Sequence, residues 1–302
     1  MSILIVGSVA YDHIITPYDQ RERALGGSAT YFALAAQHFT QTSLVAVIGE
    51  DFNHSDEELL VNKGIDLQGL EKVPGKCFFW KGEYLANWND RVTHATHLNV
   101  FEHFQPKIPE SYRKSKYVFL GNIHPSLQSQ VLDQVDDGDR LVALDTMNLW
   151  INTSRDDLLK VLEKVDILLV NDSEAQMLSG NTHLIEAAKT IAKMGPKTLC
   201  IKLGEHGAML VQDDRIFIAP AYPLCNVIDP TGAGDTFAGG FLGYLAKTGD
   251  HSFENMRRAL IYGSVMGSFT VEAFSVDRCA AVTDKDIDER YQAFVDLTHF
   301  HE

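Results

Sequence analysis

The sequence predicts an α/β fold: a doubly wound, mainly parallel sheet flanked by helices, with a small β lid. Short apolar, β-branched runs alternate with helix-like segments over most of the chain. Buried strands separated by helices are typical of right-handed βαβ units, in which helices cover both faces of a parallel sheet. One aromatic stretch, residues 77–104, breaks this alternation and predicts a separate element.

The strands of the main sheet are predicted from apolar runs that are too short and too β-branched for helices. These runs lie at residues 3–6, 44–48, 117–120, 141–144, 167–170 and 199–202. The sequence between them shows no internal repeat and no low-complexity linker. This continuity favours one domain over residues 1–302.

Small polar residues mark the helix starts between these strands. Ser55 and Glu58 fit a capping box at the start of a short helix. Asn181 or Thr182 is predicted to cap a helix over residues 184–194, which a Gly-Pro pair ends.

Residues 77–104 hold seven of the 29 aromatic residues of the chain. Apolar and polar residues alternate loosely there, which predicts antiparallel strands outside the main sheet. We expect a lid built from about residues 13–24 and 76–104. A two- or three-stranded sheet cannot bury such a surface alone. A ligand, a second subunit or the chain's own domain must therefore cover it.

Charge and cysteine content exclude several classes of protein. The 302 residues carry a formal net charge of −15, which argues against a surface for nucleic acid or anionic membrane. The four cysteines form no CxxC pair, so reduced thiols are expected rather than disulfides or structural zinc. The N-terminus lacks the basic region of a signal peptide, and no apolar run approaches the roughly 20 residues of a membrane span. We therefore expect a soluble cytoplasmic protein.

The strongest chemical signal is the segment DPTGAGDTFAGG, residues 229–240. Pro230 and the glycines exclude helix up to about Gly234, and the apolar pattern from Asp235 onwards is helical. Gly232 and Gly234 let successive N–H groups point outward at a helix N-terminus, which makes an anion site. A carboxylate at Asp235 would repel an anion, but it is well placed to accept a proton from a hydroxyl that attacks a phosphate. These residues alone fit equally a glycine-rich helix start capped by Asp235.

The longer segment DPTGAGDTFAGGFLG is similar to the C-terminal signature of the ribokinase-like (PfkB-type) carbohydrate kinases, and other segments agree in order along nearly the whole chain. The resemblance implies an ATP-dependent kinase with Asp235 as the general base. It also implies that the backbone amides of Gly232, Ala233, Gly234 and Asp235 form an anion hole, and that ATP and Mg²⁺ are the cofactors. We expect the helix N-terminus to lower the pKa of Asp235.

The same resemblance implies a substrate pocket. GSVAYD places Asp12 after the first strand, where the family uses an acid to hold sugar hydroxyls; a carboxylate can accept two such hydrogen bonds. Gly26 and Gly27 resemble the family's Gly-Gly substrate motif, whose missing side chains let a ligand approach the backbone. Tyr31 stands in the region where the family often carries Asn. Asn148 ends an Asp-Thr-Met-Asn segment similar to one in several sugar-kinase branches.

Two further segments are implied to bind nucleotide and metal. Asn171 and Glu174 match the family's Asn-x-x-Glu, which follows a strand and organises Mg²⁺ and phosphate through water; an Asx-type helix start is the alternative. Lys202, Gly204 and Gly207 match a nucleotide loop after a central strand, with a simple turn as the alternative. Lys202 replaces a frequent Thr and would bring a cation to the phosphates.

Asp229 and Thr231 match positions where some family members bind K⁺, which makes potassium an optional third cofactor.

We therefore predict an ATP-dependent kinase acting on a hydroxyl of a sugar or sugar-like small molecule. A nucleoside kinase of the same fold is the alternative, with Tyr31 or a lid aromatic stacked on the base. A non-catalytic binding protein on the kinase fold is a further alternative, disfavoured because Asp235, Asn171 and Glu174 are retained. A homodimer through the lid is expected, because paired lids would shelter their edge strands.

Overall fold

The structure is a computed structural model that describes residues 2–88 and 90–299. Its strands are β1 Ser2–Val6, β2 Ala10–Ile15, β3 Gln20–Gly26, β4 Gln41–Gly49, β5 Ile65–Val73, β6 Phe78–Tyr84, β7 Arg91–His97, β8 Tyr117–Leu120, β9 Leu141–Asp145, β10 Ile167–Asn171, β11 Thr198–Lys202, β12 Ala208–Gln212 and β13 Arg215–Ala219. Its helices are α1 Ser28–Ala36, α2 His54–Asn62, α3 Pro125–Leu132, α4 Asn148–Thr153, α5 Arg155–Leu162, α6 Asp172–Ser179, α7 Leu184–Ala192, α8 Ala233–Thr248, α9 Phe253–Thr270, α10 Asp277–Ala281 and α11 Asp284–Thr298. Within residues 2–88 and 90–299, none of these helices is both long and apolar enough to cross a membrane.

The main sheet has the order β13-β12-β11-β10-β9-β8-β1-β4-β5. All neighbours from β11 to β5 pair in parallel, and only β12 and β13 are antiparallel. The predicted doubly wound, mainly parallel sheet is therefore confirmed. The chain winds outward on both sides of β1, so the strand order reverses beside it. In open α/β sheets, ligands bind at the carboxyl ends of the strands near such a reversal.

Alternation along the strands explains why helices cover both faces. In β1, Ile3 and Ile5 belong to one apolar cluster, whereas Leu4 and Val6 belong to the other. The first cluster packs the sheet against α1 and α8. There the ring of Phe32 in α1 stacks on the ring of Phe119 in β8. A sheet buried on both faces fixes the carboxyl ends of its strands, and these ends carry the site.

Two predicted helix starts are wrong. Helix α2 begins at His54, one residue before Ser55, and no hydrogen bond joins Ser55 to Glu58 as a capping box. Helix α7 begins at Leu184 with His183 at the cap position, so neither predicted cap residue holds it. Both errors arise because a chain of polar residues offers several starts, and packing of the apolar face selects among them.

The second sheet has the order β3-β2-β6-β7 and joins two antiparallel hairpins through the parallel pair β2 and β6. The antiparallel strands predicted for residues 77–104 are therefore present. Each of the seven aromatic side chains there is half-buried or buried. Phe104 packs in a core cluster of the main sheet, and Tyr84 packs with Phe274. The chain's own domain thus provides much of the cover.

Candidate active site

The segment DPTGAGD forms the tight turn that starts α8. Gly232 has φ 77°, in the left-handed region that favours glycine, and stands at the N-cap. This turn lets the helix begin at Ala233, two residues earlier than the sequence predicts. The N–H of Ala233 donates to the carbonyl oxygen of Pro230 at 3.2 Å. No acceptor in residues 2–88 and 90–299 contacts the N–H groups of Gly232, Gly234 and Asp235, so these three amides are free to bind an anion.

Close contacts crowd Gly232 and Gly234 in this turn. A Cβ at Gly232 would lie 2.3 Å from the ring of Tyr31, and a Cβ at Gly234 would lie 3.1 Å from Nζ of Lys202. The Tyr31 ring, which is buried, therefore packs directly on the loop. The Lys202 ammonium lies beside the free amides. An anion bound by these amides would therefore also be attracted by the positive charge of Lys202.

Lys202 ends strand β11, and its Nζ donates to Oδ2 of Asp145, at the end of β9, at 3.0 Å. Burial alone would lower the pKa of Lys202, but Asp145, Glu174 and Asp235 outweigh burial and raise the pKa above its usual value. The ammonium is therefore charged. One cation among three carboxyl groups leaves this edge of the sheet with an excess of negative charge.

Asp235 lies half-buried in the first turn of α8. Burial and the charge of Asp145 raise the pKa of its carboxyl group, while Lys202 and Arg91 act in the opposite direction. The expected lowering by the helix N-terminus is therefore wrong. A helix terminus contributes about 0.3–1 kcal/mol, less than the 1.36 kcal/mol that corresponds to one pKa unit. A raised pKa makes Asp235 a stronger proton acceptor.

Asn171 and Glu174 form a capping box at the start of α6. Oδ1 of Asn171 accepts the N–H of Glu174 at 2.7 Å, and Oε2 of Glu174 accepts the N–H of Asn171 at 2.8 Å. The helix start considered as the alternative is thus present. The second oxygen of Glu174 accepts no hydrogen bond from the part of the chain that the structure describes. Burial raises the pKa of Glu174, and Lys202 opposes this. The cap therefore fixes the side chain and leaves one oxygen available.

Asp12 is buried within strand β2, against Gly26, the last residue of β3. A Cβ at Gly26 would lie 2.1 Å from Oδ2 of Asp12, so only glycine leaves room for this carboxyl group. Burial raises the pKa of Asp12 to about 8, and the charges of Asp229 and Asp235 contribute. No hydrogen bond joins the Asp12 side chain to residues 2–88 or 90–299. Its oxygens are therefore free to accept hydrogen bonds from a ligand.

The other predicted substrate residues differ in their placement. Gly27 has φ 97°, and a Cβ there would lie 2.4 Å from the carbonyl oxygen of Ser8. The hydroxyl of Tyr31 is buried without a hydrogen-bond partner in the described part of the chain, and burial raises its pKa. Asn148 is exposed at the start of α4. The structure therefore does not bring Asn148 into the buried group.

Gly204 and Gly207 lie in the connection from β11 to β12. Their φ values are 58° and 104°, and a Cβ at Gly207 would lie 2.0 Å from the carbonyl oxygen of Ala219. The hairpin turn considered as the alternative thus accounts for both glycines. Their contact with a nucleotide stays a prediction, which their position directly after Lys202 supports.

Asp229 closes the loop onto the segment that follows α9. Its Oδ1 accepts the N–H of Thr231 at 2.8 Å, and its Oδ2 accepts the N–H of Ser275 at 3.0 Å. Each oxygen thus accepts one N–H and keeps a further lone pair. The potassium site that the resemblance implies at Asp229 and the carbonyl oxygen of Thr231 stays a prediction.

Sequence reasoning missed two charged residues of this site. Asp145 enters through its ion pair with Lys202. Arg91 starts β7, pairs with Tyr84 across the hairpin and contacts the Tyr84 hydroxyl. That hydroxyl accepts a hydrogen bond from Thr231 of the loop at 3.2 Å. The sequence held one signal that could have identified Arg91. It is a cation in the predicted lid, and that lid faces the predicted anion site.

Transfer of a phosphoryl group to a hydroxyl requires charge stabilisation for the moving group and a base beside the acceptor. One turn of helix presents groups of both kinds, the free amides and the carboxyl group of Asp235. With the parallel sheet, this turn defines the protein as a phosphotransferase.

Comparisons with known proteins identify the family. The sequence model described as "pfkB family carbohydrate kinase" matches residues 1–283, and the chain belongs to this family. It is 30% identical over 247 residues to the cytidine kinase of Thermococcus kodakarensis. The aligned region covers 80% of this chain and 87% of that protein. It is 33% identical over 118 residues to the ribokinase of Staphylococcus aureus, and this aligned region covers 37% of each chain. The crystal structure of the Methanocaldococcus jannaschii nucleoside kinase shares the fold, with a TM-score of 0.78, 22% identity and coverage of 97% of this chain and 98% of that chain.

The predicted ribokinase-like family and the predicted phosphotransferase with an alcohol acceptor are thus confirmed. The protein is a kinase of the carbohydrate kinase family, which transfers a phosphoryl group to a hydroxyl.

Proposed function

We propose that the acceptor is a nucleoside and that the phosphoryl group goes to a hydroxyl of its ribose. The observation that carries this proposal is Asp12, a buried carboxyl group with free acceptors. A pair of vicinal ribose hydroxyls would satisfy both of its oxygens. The long match to a cytidine kinase supports a nucleoside over a free sugar, because the ribokinase match covers a much smaller part of the chain.

The acceptor is held by Asp12 and by the backbone at Gly26 and Gly27, where the missing side chains let the ribose approach. Asp235 accepts the proton of the attacking hydroxyl as the new O–P bond forms and the bond to the β-phosphate oxygen of ATP breaks. The products are the nucleoside phosphate, ADP and the proton on Asp235. Because burial raises the pKa of this carboxyl group, it holds that proton better than an ordinary Asp.

The phosphates are held by the free amides of Gly232, Gly234 and Asp235. Lys202 neutralises part of their charge from the end of β11, as its place beside Gly234 indicates. Arg91 adds a second cation from the other sheet. Fixed donors and cations around the moving group stabilise the transition state without reorganisation during the reaction.

The carboxyl groups around Lys202 fit a divalent cation, because they carry more negative charge than one ammonium neutralises and because Mg²⁺ prefers oxygen ligands. Asn171 and Glu174 would hold Mg²⁺ through water, with the free oxygen of Glu174 as the nearest acceptor. Mg²⁺ held there would neutralise charge on the phosphates. Asp145 fixes Lys202 beside that position.

The four-stranded sheet serves as a lid over the acceptor, and we propose that it also joins two subunits. Strand β7 is exposed along most of its length, with Val92 44% exposed, and Tyr18 at the tip of the other hairpin is 85% exposed. A second copy of the sheet would cover both positions and would shelter the edge strands β3 and β7.

A panel of acceptors, assayed by ADP release, tests the proposed function. We expect kcat/KM for the preferred nucleoside among cytidine, uridine, adenosine and inosine to exceed that for ribose and fructose by about 100-fold or more, since a free sugar lacks the base contacts. Asp235→Asn is the control for phosphoryl transfer that does not use this site. A free sugar that is preferred over all four nucleosides would overturn the proposal.

A further inference from the structure

Ser275 lies in the segment that follows α9 and has an unusual backbone conformation. Its φ is 59°, a value that is uncommon for residues other than glycine, and its side chain is buried. Its N–H donates to Oδ2 of Asp229 at 3.0 Å, and its hydroxyl donates to the carbonyl oxygen of Leu25 at 2.6 Å. Such conformations persist where surrounding contacts impose them, and they are often found at functional positions.

These two hydrogen bonds connect the two halves of the site. On one side, Asp229 accepts the N–H of Thr231 at 2.8 Å and so holds the anion loop. On the other side, Leu25 directly precedes Gly26, which lies against the carboxyl group of Asp12. Ser275 therefore links the residues that face the phosphates to the residues that face the acceptor.

The segment that carries Ser275 is itself held firmly. Glu272 accepts hydrogen bonds from Arg278 at 3.0 Å and from Arg290 at 2.7 Å. The carbonyl oxygen of Val271 accepts the N–H of Ile228, next to the anion loop, at 2.8 Å. These contacts tie the segment to α10, to α11 and to the residue before the anion loop.

We propose that Ser275 is a positioning residue that couples acceptor binding at Asp12 to phosphate binding at the anion loop. The inference rests on the proposed function, because it takes a nucleoside as the acceptor. Ribose hydroxyls on Asp12 fix Gly26 and the Leu25 carbonyl. The Ser275 hydroxyl passes this position to Asp229 and so to the free amides of the loop. Phosphate binding tightens acceptor binding by the same factor, since coupling between two binding sites is reciprocal.

The substitution Ser275→Ala removes the hydroxyl and keeps the N–H that binds Asp229. Calorimetry on the full chain would give the Kd of AMP-PNP with Mg²⁺, without cytidine and with saturating cytidine. In the wild type we expect cytidine to tighten AMP-PNP binding by about 5–50-fold. In Ser275→Ala we expect a ratio of about 1–2. An unchanged ratio in the variant, or a ratio near 1 in the wild type, would overturn the proposal.

Two more variants separate coupling from stability. Ser275→Gly also lacks the hydroxyl but accepts a positive φ without strain, so we expect it to melt at a higher temperature than Ser275→Ala and to lose coupling equally. Ser264→Ala removes a hydroxyl whose sole hydrogen bond within residues 2–88 and 90–299 is to the carbonyl oxygen of Leu260 in α9, at 3.1 Å, and it should keep full coupling. Coupling retained in Ser275→Gly, or lost in Ser264→Ala, would contradict the assigned role.

The wild-type panel separates the two proposals. If the wild type phosphorylates no nucleoside, the proposed function fails, and the same titrations with ribose in place of cytidine decide the role of Ser275.

Discussion

Replacing Asp12 by Asn tests the acceptor site through the stability of the ligand-free protein. Burial raises the pKa of Asp12 from 3.8 to about 8, with Asp229 and Asp235 adding to the effect. A carboxyl group whose pKa is raised by folding binds its proton more tightly in the native state than in the unfolded chain. Its effect is therefore absent below the ordinary pKa near 4, and it destabilises the native state increasingly up to about pH 8.

The size of this effect follows from the two pKa values. A difference of 1 in pKa corresponds to about 1.36 kcal/mol, so the rise from 3.8 to about 8 sets a ceiling of about 6 kcal/mol. Relaxation of the surrounding protein reduces the effect, and we expect about 2–4 kcal/mol at pH 8.5. Asn carries no charge, so Asp12→Asn should recover this free energy. For a chain of this length that is roughly 4–8 °C in Tm.

Thermal unfolding at pH 5, 7 and 8.5 measures the difference. We expect the Tm of Asp12→Asn to exceed that of the wild type by an amount that widens as pH rises, while the KM for the acceptor also rises. Asp137→Asn replaces an exposed acid and should follow the wild-type curve. Parallel curves for Asp12→Asn and the wild type from pH 5 to 8.5 would refute the reasoning, because they would mean that Asp12 carries no buried charge.

Four other substitutions test separate parts of the site. Asp235→Asn should lower kcat by about 10²–10⁴ with ATP binding largely kept, and it should remove the rise of kcat with pH that the raised pKa of this carboxyl group predicts for the wild type; near wild-type kcat would exclude it as the base. Glu174→Gln should raise the Mg²⁺ concentration needed for half-maximal rate by about 10-fold, and a Mg²⁺ titration with an unchanged midpoint would reject its role. Arg91→Gln should lower kcat/KM for ATP by about 10-fold through loss of a charge-assisted contact, whereas unchanged ATP kinetics would place Arg91 outside the phosphate site. Joint replacement of Phe79 and Trp80 by Ser should weaken dimerisation, seen by light scattering, and raise the acceptor KM; a wild-type monomer at micromolar concentration would count against the dimer.

The parallel sheet and the anion loop were predictable because their signals are local. Strand β8, Tyr117–Leu120, has the predicted bounds, since a short apolar run of this kind has few other structures open to it. The turn at Gly232 follows from consecutive residues that exclude helix and strand. The start of α8 was placed two residues late because the sequence does not show that Gly232 adopts the left-handed conformation.

Charged contacts between distant residues were not predictable. Asp145 and Lys202 are 57 positions apart, and only the strand order brings their ends together. The end of β9 illustrates the difficulty. The sequence predicts Asn148 at the site, but the buried residue is Asp145, three positions earlier, because the strand ends there. The predicted direction of the pKa shift of Asp235 is also wrong, because the shift depends on burial and on Asp145 rather than on the helix that Asp235 starts.

The crowding of carboxyl groups around one ammonium has a consequence for the protein's lifetime. Burial raises the pKa of Asp12, Glu174, Asp229 and Asp235. Near neutral pH the ligand-free native state must therefore bury these charges or bind protons that the unfolded chain would release, and both lower its stability. Ligands that supply hydroxyl donors and cations remove this penalty, and binding to the native state alone stabilises it by mass action. The unfolded fraction that proteases can reach therefore falls when nucleoside, ATP and Mg²⁺ are abundant. Abundant substrate is therefore expected to lengthen the lifetime of the enzyme.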